Sequence, residues 1–384
     1  MAEIVFQNSS IVLADSIAGV SAMSISEGNI VEVVFNENAT ALSTATDFDG
    51  VLIFAGSIDI HNHGAVGVDV NEADANGLLR VAEFLARNGV TAWMPTLVPD
   101  SDENYRRAIA AIDELMSGQI DKPVAQAVGV HYEGVFASEK MCGALRPEFF
   151  KSYSGSEIDE LPKLKKGVHM TTLAPEVDGG IELIAELVKE GWIVSIGHTK
   201  ADAETLDRAF GAGARHMTHF FNAMTGVHHR ELGVAGWGLA NNEVTFDIIA
   251  DGIHVHPKML GVACRAKTPD KVSLISDSVA PTGLGNGEYE LWGEKITVRD
   301  GRTQNERGSI AGSVITVNDA VKTMRSIGFS DVDLAKMASA NPAKLLGIDD
   351  ERGTIEIGKR ADLVGIDVEG NIAFTMIGGK IVEK

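Results

Sequence analysis

Histidine and acidic side chains recur in this sequence directly after apolar, β-prone runs. His61 and His63 follow Ser57–Ile60, Glu133 follows Val128–Tyr132, His198 follows Ile193–Ile196, and His219 closes His216–His219. His254 comes shortly after Thr245–Ile249, and Asp277 follows Val272–Ser276. Imidazole nitrogens with a carboxylate form a donor set for a first-row divalent cation, zinc above all. The spacing of His61 and His63 puts both rings on one face of a strand, because side chains alternate with period two. His216 and His219, three apart, face opposite ways, so only His219, nearer the end, is expected to join such a site. His131 shares a face with Glu133 but lies deeper and is expected inside the fold. His169 begins its strand and is expected to be structural. His228, His229 and His256 fall on loops or a helix start and are not expected to ligate.

Such a set suits hydrolysis of an unactivated amide. A bound metal lowers the pKa of water towards ~7 and so supplies a nucleophile at neutral pH. A carboxylate beside it, here Asp277, takes the water's proton and returns it to the leaving nitrogen. No GxSxG segment offers a serine route instead.

These residues need a scaffold that gathers strand ends. Besides the runs above, Ala92–Met94 and His169–Thr172 read as strands, and Gly77–Arg87, Asn104–Leu115, Ile181–Glu190, Ala203–Phe210 and Lys258–Ala266 as helices. Strand then helix, repeated about eight times, predicts a (β/α)8 barrel over residues 56–350, whose C-terminal strand ends share one mouth. An open doubly wound sheet is the competing architecture, but no GxGxxG or phosphate loop follows any strand. Gly283–Leu284–Gly285–Asn286–Gly287 precedes no helix and reads as a loop. The flanks differ. Ile4–Phe6, Ile11–Leu13 and Ile30–Phe35 at one end, and Asp362–Asp367, Ile372–Met376 and Lys380–Val382 at the other, are β-rich. Residues 1–55 and 351–384 are therefore expected to form a second, small β domain.

Composition narrows the partners. A net charge of −21 and a pI near 4.9 repel nucleic acid and anionic lipid. An anionic substrate must then find local cationic or backbone help. No apolar run approaches the ~20 residues of a membrane span, and the first residues lack a signal peptide's basic start and apolar core. Mean hydropathy is +0.05. Cys142 and Cys264 form no CxxC pair, so neither a disulfide framework nor a thiolate metal site is expected. The expected compartment is a reducing cytoplasm.

The chain resembles the amidohydrolase superfamily and, within it, the deacetylases of amino-sugar phosphates. The matching segments include Asp59–Ile60–His61–Asn62–His63–Gly64, His131–Tyr132–Glu133–Gly134 and Gly197–His198–Thr199. The more specific ones are Thr218–His219–Phe220–Phe221–Asn222–Ala223–Met224 and Asp251–Gly252–Ile253–His254; Ser276–Asp277 and Ile310–Ala311–Gly312–Ser313 follow, and the segments run in order over nearly the whole chain. The resemblance implies a barrel with a small β-sandwich from both chain ends, and hydrolysis of the acetamide of N-acetylglucosamine 6-phosphate. It implies that Glu133, His198 and His219 bind the principal metal, with a second at His61 and His63, so one or two Zn2+ per subunit. It further implies that Asn222, Ala223, Arg230 and His254 contact the sugar phosphate, that Ala311 and Gly312 line the pocket, and that Ala144, Asp251 and Ile310 belong to the same substrate site. Arg230 suits a phosphate through its planar fork. In the family this arginine reaches the neighbouring subunit's site, which implies a homodimer or homotetramer.

Three positions depart from the family's pattern: Val135 and Leu232 stand where prolines are usual, and Leu145 where a histidine follows Gly-Ala. Two other readings compete with the deacetylase. A different amidohydrolase, acting on another N-acyl amino sugar, an N-acyl amino acid or a cyclic amide, would often carry a metal-bridging lysine at the fourth strand, but Val168–Leu173 has none. A non-catalytic scaffold should have lost ligands, and this chain retains them.

Overall fold

The computed structural model describes residues 6–7, 9–20, 22–35, 46–47, 50–155, 158 and 161–383. Eight parallel strands form a nearly closed barrel: β1 Ser57–Asn62, β2 Val90–Leu97, β3 Gly129–Phe136, β4 Val168–Leu173, β5 Ile193–Ile196, β6 His216–Met217, β7 Thr245–Ile249 and β8 Val272–Ile275. Each pairs in parallel with the next. Closure between β8 and β1 comes just past the regular strands. Asp277 N donates to His61 O at 3.0 Å, His63 N donates to Ser278 O at 2.8 Å, and Asp59 accepts from Ser276 Oγ at 2.6 Å. The seam thus ties the His61–His63 pair to Asp277.

Helices surround the barrel: α1 Ala75–Arg87, α2 Asp102–Gly118, α3 Gly180–Lys189, α4 Ala203–Ala212, α5 Gly233–Ala240, α6 Pro257–Lys267 and α7 Val317–Ser326. Of these, α1 to α4 and α6 fall where the periodicity expected them, whereas α5 and α7 were not expected. The local rules are visible in α1. Asp74 caps it by accepting from Gly77 N at 2.7 Å, and Leu78, Val81, Ala82 and Leu85 form its buried stripe. Inside the barrel, Ile58, Ile60, Met94, Met170, Ile249 and Ile275 pack with Leu346 of α8 Asn341–Leu346. Asn341 Nδ2 donates to Val272 O at 2.7 Å, so α8 plugs the end where strands begin.

Both chain ends build the β-sandwich. Leu52–Ala55 pairs in parallel with Ser9–Val12 and antiparallel with Leu363–Ile366, within a six-stranded sheet. An Ala22–Ser26/Asn29–Val34 hairpin packs over it through Met23, Ile25 and Ile30, against Ile53, Leu363 and Met376. The expected strand over residues 4–6 lies largely outside the described residues, as do residues 1–3. A further sheet had no counterpart in the sequence reading. Gly287–Leu291, Glu294–Arg299 and Arg302–Asn305 form an antiparallel meander between β8 and α7. Among the described residues, no helix is long and apolar enough to cross a membrane.

Candidate active site

The polar side chains converge at the C-terminal mouth because the backbone turns abruptly there. His198, His219 and Asp277 lie just past their strands with φ of 47°, 31° and 50°. Non-glycine residues rarely adopt this left-handed region, at a cost on the order of 1–3 kcal/mol each. The surroundings hold them in it. Asp247, on β7, accepts the His219 backbone N–H, and its other oxygen meets His216 Nε2 at 3.0 Å. Asp277 O accepts from Ser313 N at 2.7 Å, and His198 O from Ser138 N at 3.0 Å. His216 is thus a support beneath the site, tied to it through Asp247. Glu133 differs: it sits within β3, which continues to Phe136, and register shifts directly after it.

Two overlapping groups, each buried, have donor atoms close enough to hold a metal: Glu133–His198–His219 and His61–His63–Glu133. In the first, Glu133 Oε1 lies 2.9 Å from His219 Nε2 and 3.1 Å from His198 Nε2, and the two nitrogens are 3.1 Å apart. In the second, His61 Nε2 and His63 Nε2 are 3.0 Å apart, and Glu133 reaches them at 3.4 Å and 3.3 Å. These separations fit a tetrahedral edge of about 3.3 Å for metal–nitrogen bonds near 2.0–2.1 Å. Backbone carbonyls fix two of the rings: His198 Nδ1 lies 2.7 Å from Met141 O, and His63 Nδ1 lies 3.1 Å from Thr96 O. Donation there leaves each Nε2 lone pair to face the centre. Asp277 Oδ1 completes the floor, 3.3 Å from His63 and 3.5 Å from His61.

The electrostatics are those of a hole for positive charge. Burial pushes Glu133 up, yet His61, His198 and His219 together hold it well below the usual carboxylate range. Burial pushes His63 down, but Asp277 and Glu133 lift it to about 10; Glu133 likewise lifts His219 to about 9. In the metal-free protein, protons supply the charge that a metal would supply. Both folded values exceed the ordinary 6.5, so this stabilisation is complete below that value and is lost as pH rises through 9 to 10. The metal-free protein is therefore expected to melt at a lower temperature at pH 10 than at pH 7. Metal addition at pH 7 should release protons into a weakly buffered solution. Unchanged melting and no proton release would contradict this account of the hole.

A cavity of about 290 Å³ opens above this floor. His63, Glu133, His198, His219 and Asp277 line it, together with Ala144, Asn222, Ala223, His254, Ile310 and Gly312. Ala311 is buried beside it, 1% exposed. Asp251 stands behind His254, accepting from the Ile253 and His254 backbone N–H groups at 2.8 Å and meeting His254 Nδ1 at 2.6 Å. Arg230 does not reach this chain's cavity; it is exposed, with Nη1 2.7 Å from His229 Nε2. His131 lies beneath the centre, bound to Thr172 Oγ1 at 2.7 Å, and His169 accepts from Leu164 N at 2.9 Å, away from the cavity. His228 and His229 are exposed on the Arg230 loop.

Sequence reasoning missed Asp247, which braces His219, and two cavity-lining residues, Trp292 and Ser309. A tryptophan at the first position of an x-Gly turn was the one local signal for Trp292.

A model of the amidohydrolase family matches residues 52–382. N-acetylglucosamine-6-phosphate deacetylase of Bacillus subtilis (strain 168) is 37% identical over 339 residues, spanning 87% of this chain and 85% of that one. N-acetylgalactosamine-6-phosphate deacetylase of Escherichia coli O157:H7 is 33% identical, over 88% and 89% of the two chains. The crystal structure of N-acetylglucosamine-6-phosphate deacetylase from Pasteurella multocida superposes with a TM-score of 0.91 at 28% identity, covering 99% of each chain. Family match, relatives and fold agree over nearly the whole length, and the chain belongs to the amidohydrolase family.

Proposed function

We propose that this protein hydrolyses the acetamide of N-acetylglucosamine 6-phosphate to acetate and glucosamine 6-phosphate, using a divalent metal, zinc by preference. The observation that carries this reading is the buried Asp277 carboxylate on the floor of the cavity into which Glu133, His198 and His219 converge. A metal at Glu133, His198 and His219 supplies Lewis-acid polarisation and acidifies water; His61 and His63, with Glu133, offer a second position. Burial pushes the Asp277 carboxyl up, but the neighbouring His61 and His63 hold it below the usual range. It therefore starts as a base at neutral pH. Asp277 takes one proton from the attacking water, whose oxygen joins the acyl carbon, and delivers it to the nitrogen as the C–N bond breaks.

Asn222, Ala223 and His254, the last oriented by Asp251, take the sugar phosphate, while Ala144, Ile310, Ala311 and Gly312 shape the other side. Arg230 reads the phosphate of the neighbouring chain's substrate, in a homodimer or a tetramer built from dimers. The chemistry belongs to residues 56–350, with 1–55 and 351–384 as the small domain, and the cytoplasm is the setting. Arg230→Ala should raise KM for the phosphorylated sugar by about 1.5–3 kcal/mol of lost binding and leave any turnover of the unphosphorylated sugar little changed. Equal loss on both would make Arg230 structural.

A second reading, deacetylation of a different hexosamine phosphate, is favoured by Leu145, which puts an apolar side chain where the family has a histidine. Acetate release by metal-reconstituted protein from a panel of N-acetylhexosamine phosphates tests both. The first reading expects highest kcat/KM on the glucosamine compound, and no release from any member refutes the two together.

A further inference from the structure

We infer that Trp292 is the wall that measures the substrate's N-acyl group, admitting acetyl and refusing longer chains; this rests on the deacetylase reading above. Leu291 pairs with Glu294, which leaves Trp292 and Gly293 as a two-residue hairpin turn with φ of 53° and 79°. Turns of this kind need positive φ at both positions and favour Asn-Gly, and a bulky residue with positive φ is an outlier. Strain of this kind gathers at functional sites. What the tryptophan gains is a place over the reacting centre. Its ring meets His63 edge-on, with centroids 5.4 Å apart and planes at 81°. His63 is itself 3.3 Å from Asp277.

The wall is continuous. Trp292 packs in one apolar cluster with Leu145 and in another with Ala144 and Ala311. Arg307 ties its two parts together: Nε is 2.9 Å from a Glu294 carboxylate oxygen on the hairpin, and Nη2 donates to Ala144 O at 3.0 Å. The cavity also presents polar Asn222 and His254. A hexosamine phosphate is polar almost throughout, apart from its acyl methyl group. Matching polarity sends the sugar phosphate towards Asn222 and His254 and the acyl chain against Trp292. Asp69 is the positioning residue for this wall. Its carboxylate interacts with the Trp292 side chain, and Asp69 Oδ2 and Trp292 Nε1 are both buried with no other partner among the described residues.

The test compares kcat/KM for N-acetyl, N-propionyl and N-butyryl glucosamine 6-phosphate in metal-loaded wild type, Trp292→Asn and Trp292→Phe. Asparagine suits the turn and offsets part of the packing lost with the indole, so Trp292→Asn should still fold, as thermal melting checks. The wild type should lose about 10–200-fold per added methylene. In Trp292→Asn the butyryl-to-acetyl ratio should rise at least about tenfold, while Trp292→Phe keeps the acetyl preference. Asp69→Ala should shift the same ratio in the same direction, but less. Calorimetric affinities of the three compounds for Asp277→Asn protein, with and without Trp292→Asn, should change in parallel. An unchanged chain-length profile in a folded, acetyl-cleaving Trp292→Asn overturns the wall alone. A metal-loaded wild type that cleaves none of the three refutes the deacetylase reading, and the inference with it.

Discussion

Asp277→Asn is expected to fold, keep its metal and hydrolyse substrate at least ~100-fold more slowly, the low end for general acid–base catalysis. Asparagine is nearly isosteric and tolerates the left-handed backbone at φ 50° as well as aspartate does. The two backbone bonds that anchor this position, to His61 O and from Ser313 N, are untouched. What disappears is the oxygen proposed to accept the water's proton, together with a carboxylate oxygen 3.3 Å from His63 and 3.5 Å from His61. The measurement pairs turnover with elemental analysis. Near-normal turnover in metal-replete Asp277→Asn would remove Asp277 from the proton transfer.

His198→Ala and His219→Ala are each expected to lose tightly bound metal on gel filtration, because a centre built from three protein ligands is poorly served by two. The geometry sharpens the expectation. Each of the two Nε2 atoms lies within 3.1 Å of both Glu133 Oε1 and the other nitrogen, so neither ring is peripheral. His198 is further preset by Met141 O, and His219 by the Asp247 brace on its backbone. His61→Ala offers the contrast. If its position is weakly filled, metal content should fall less than for the other two. Equal loss for all three would instead mean that Glu133 bridges two metals that bind only together. Unchanged metal content in His198→Ala and His219→Ala would move the principal centre elsewhere.

Much of this was legible in the chain. The barrel followed from strand–helix alternation, since periods of two and 3.6 are local consequences of backbone geometry that tertiary contacts left in place here. The convergence of His61, His63, Glu133, His198, His219 and Asp277 was legible for a related reason. A parallel barrel sends all its C-terminal strand ends to one mouth, so position along the strand already fixes position in space. That His219 and not His216 joins the site was expected from strand alternation, but β6 ends at Met217, and the left-handed turn beyond it is what directs His219.

Other features needed the fold. His219 is turned inward by left-handed backbone held by Asp247, a residue 28 positions away whose carboxylate carries no mark of that duty in the sequence. Glu133 proved to face both histidine groups at once, from within a strand that runs on to Phe136. The hairpin carrying Trp292 is a short polar meander whose alternation was too weak to read, and nothing local says that its turn hangs over a cavity whose lining runs from His63 to Gly312. The sequence by itself determined the donor set and the mouth that gathers it, because those depend on residue type and strand period. The tertiary structure decided which polar groups brace the donors and which apolar groups wall the cavity, because those depend on loop paths that no local period encodes.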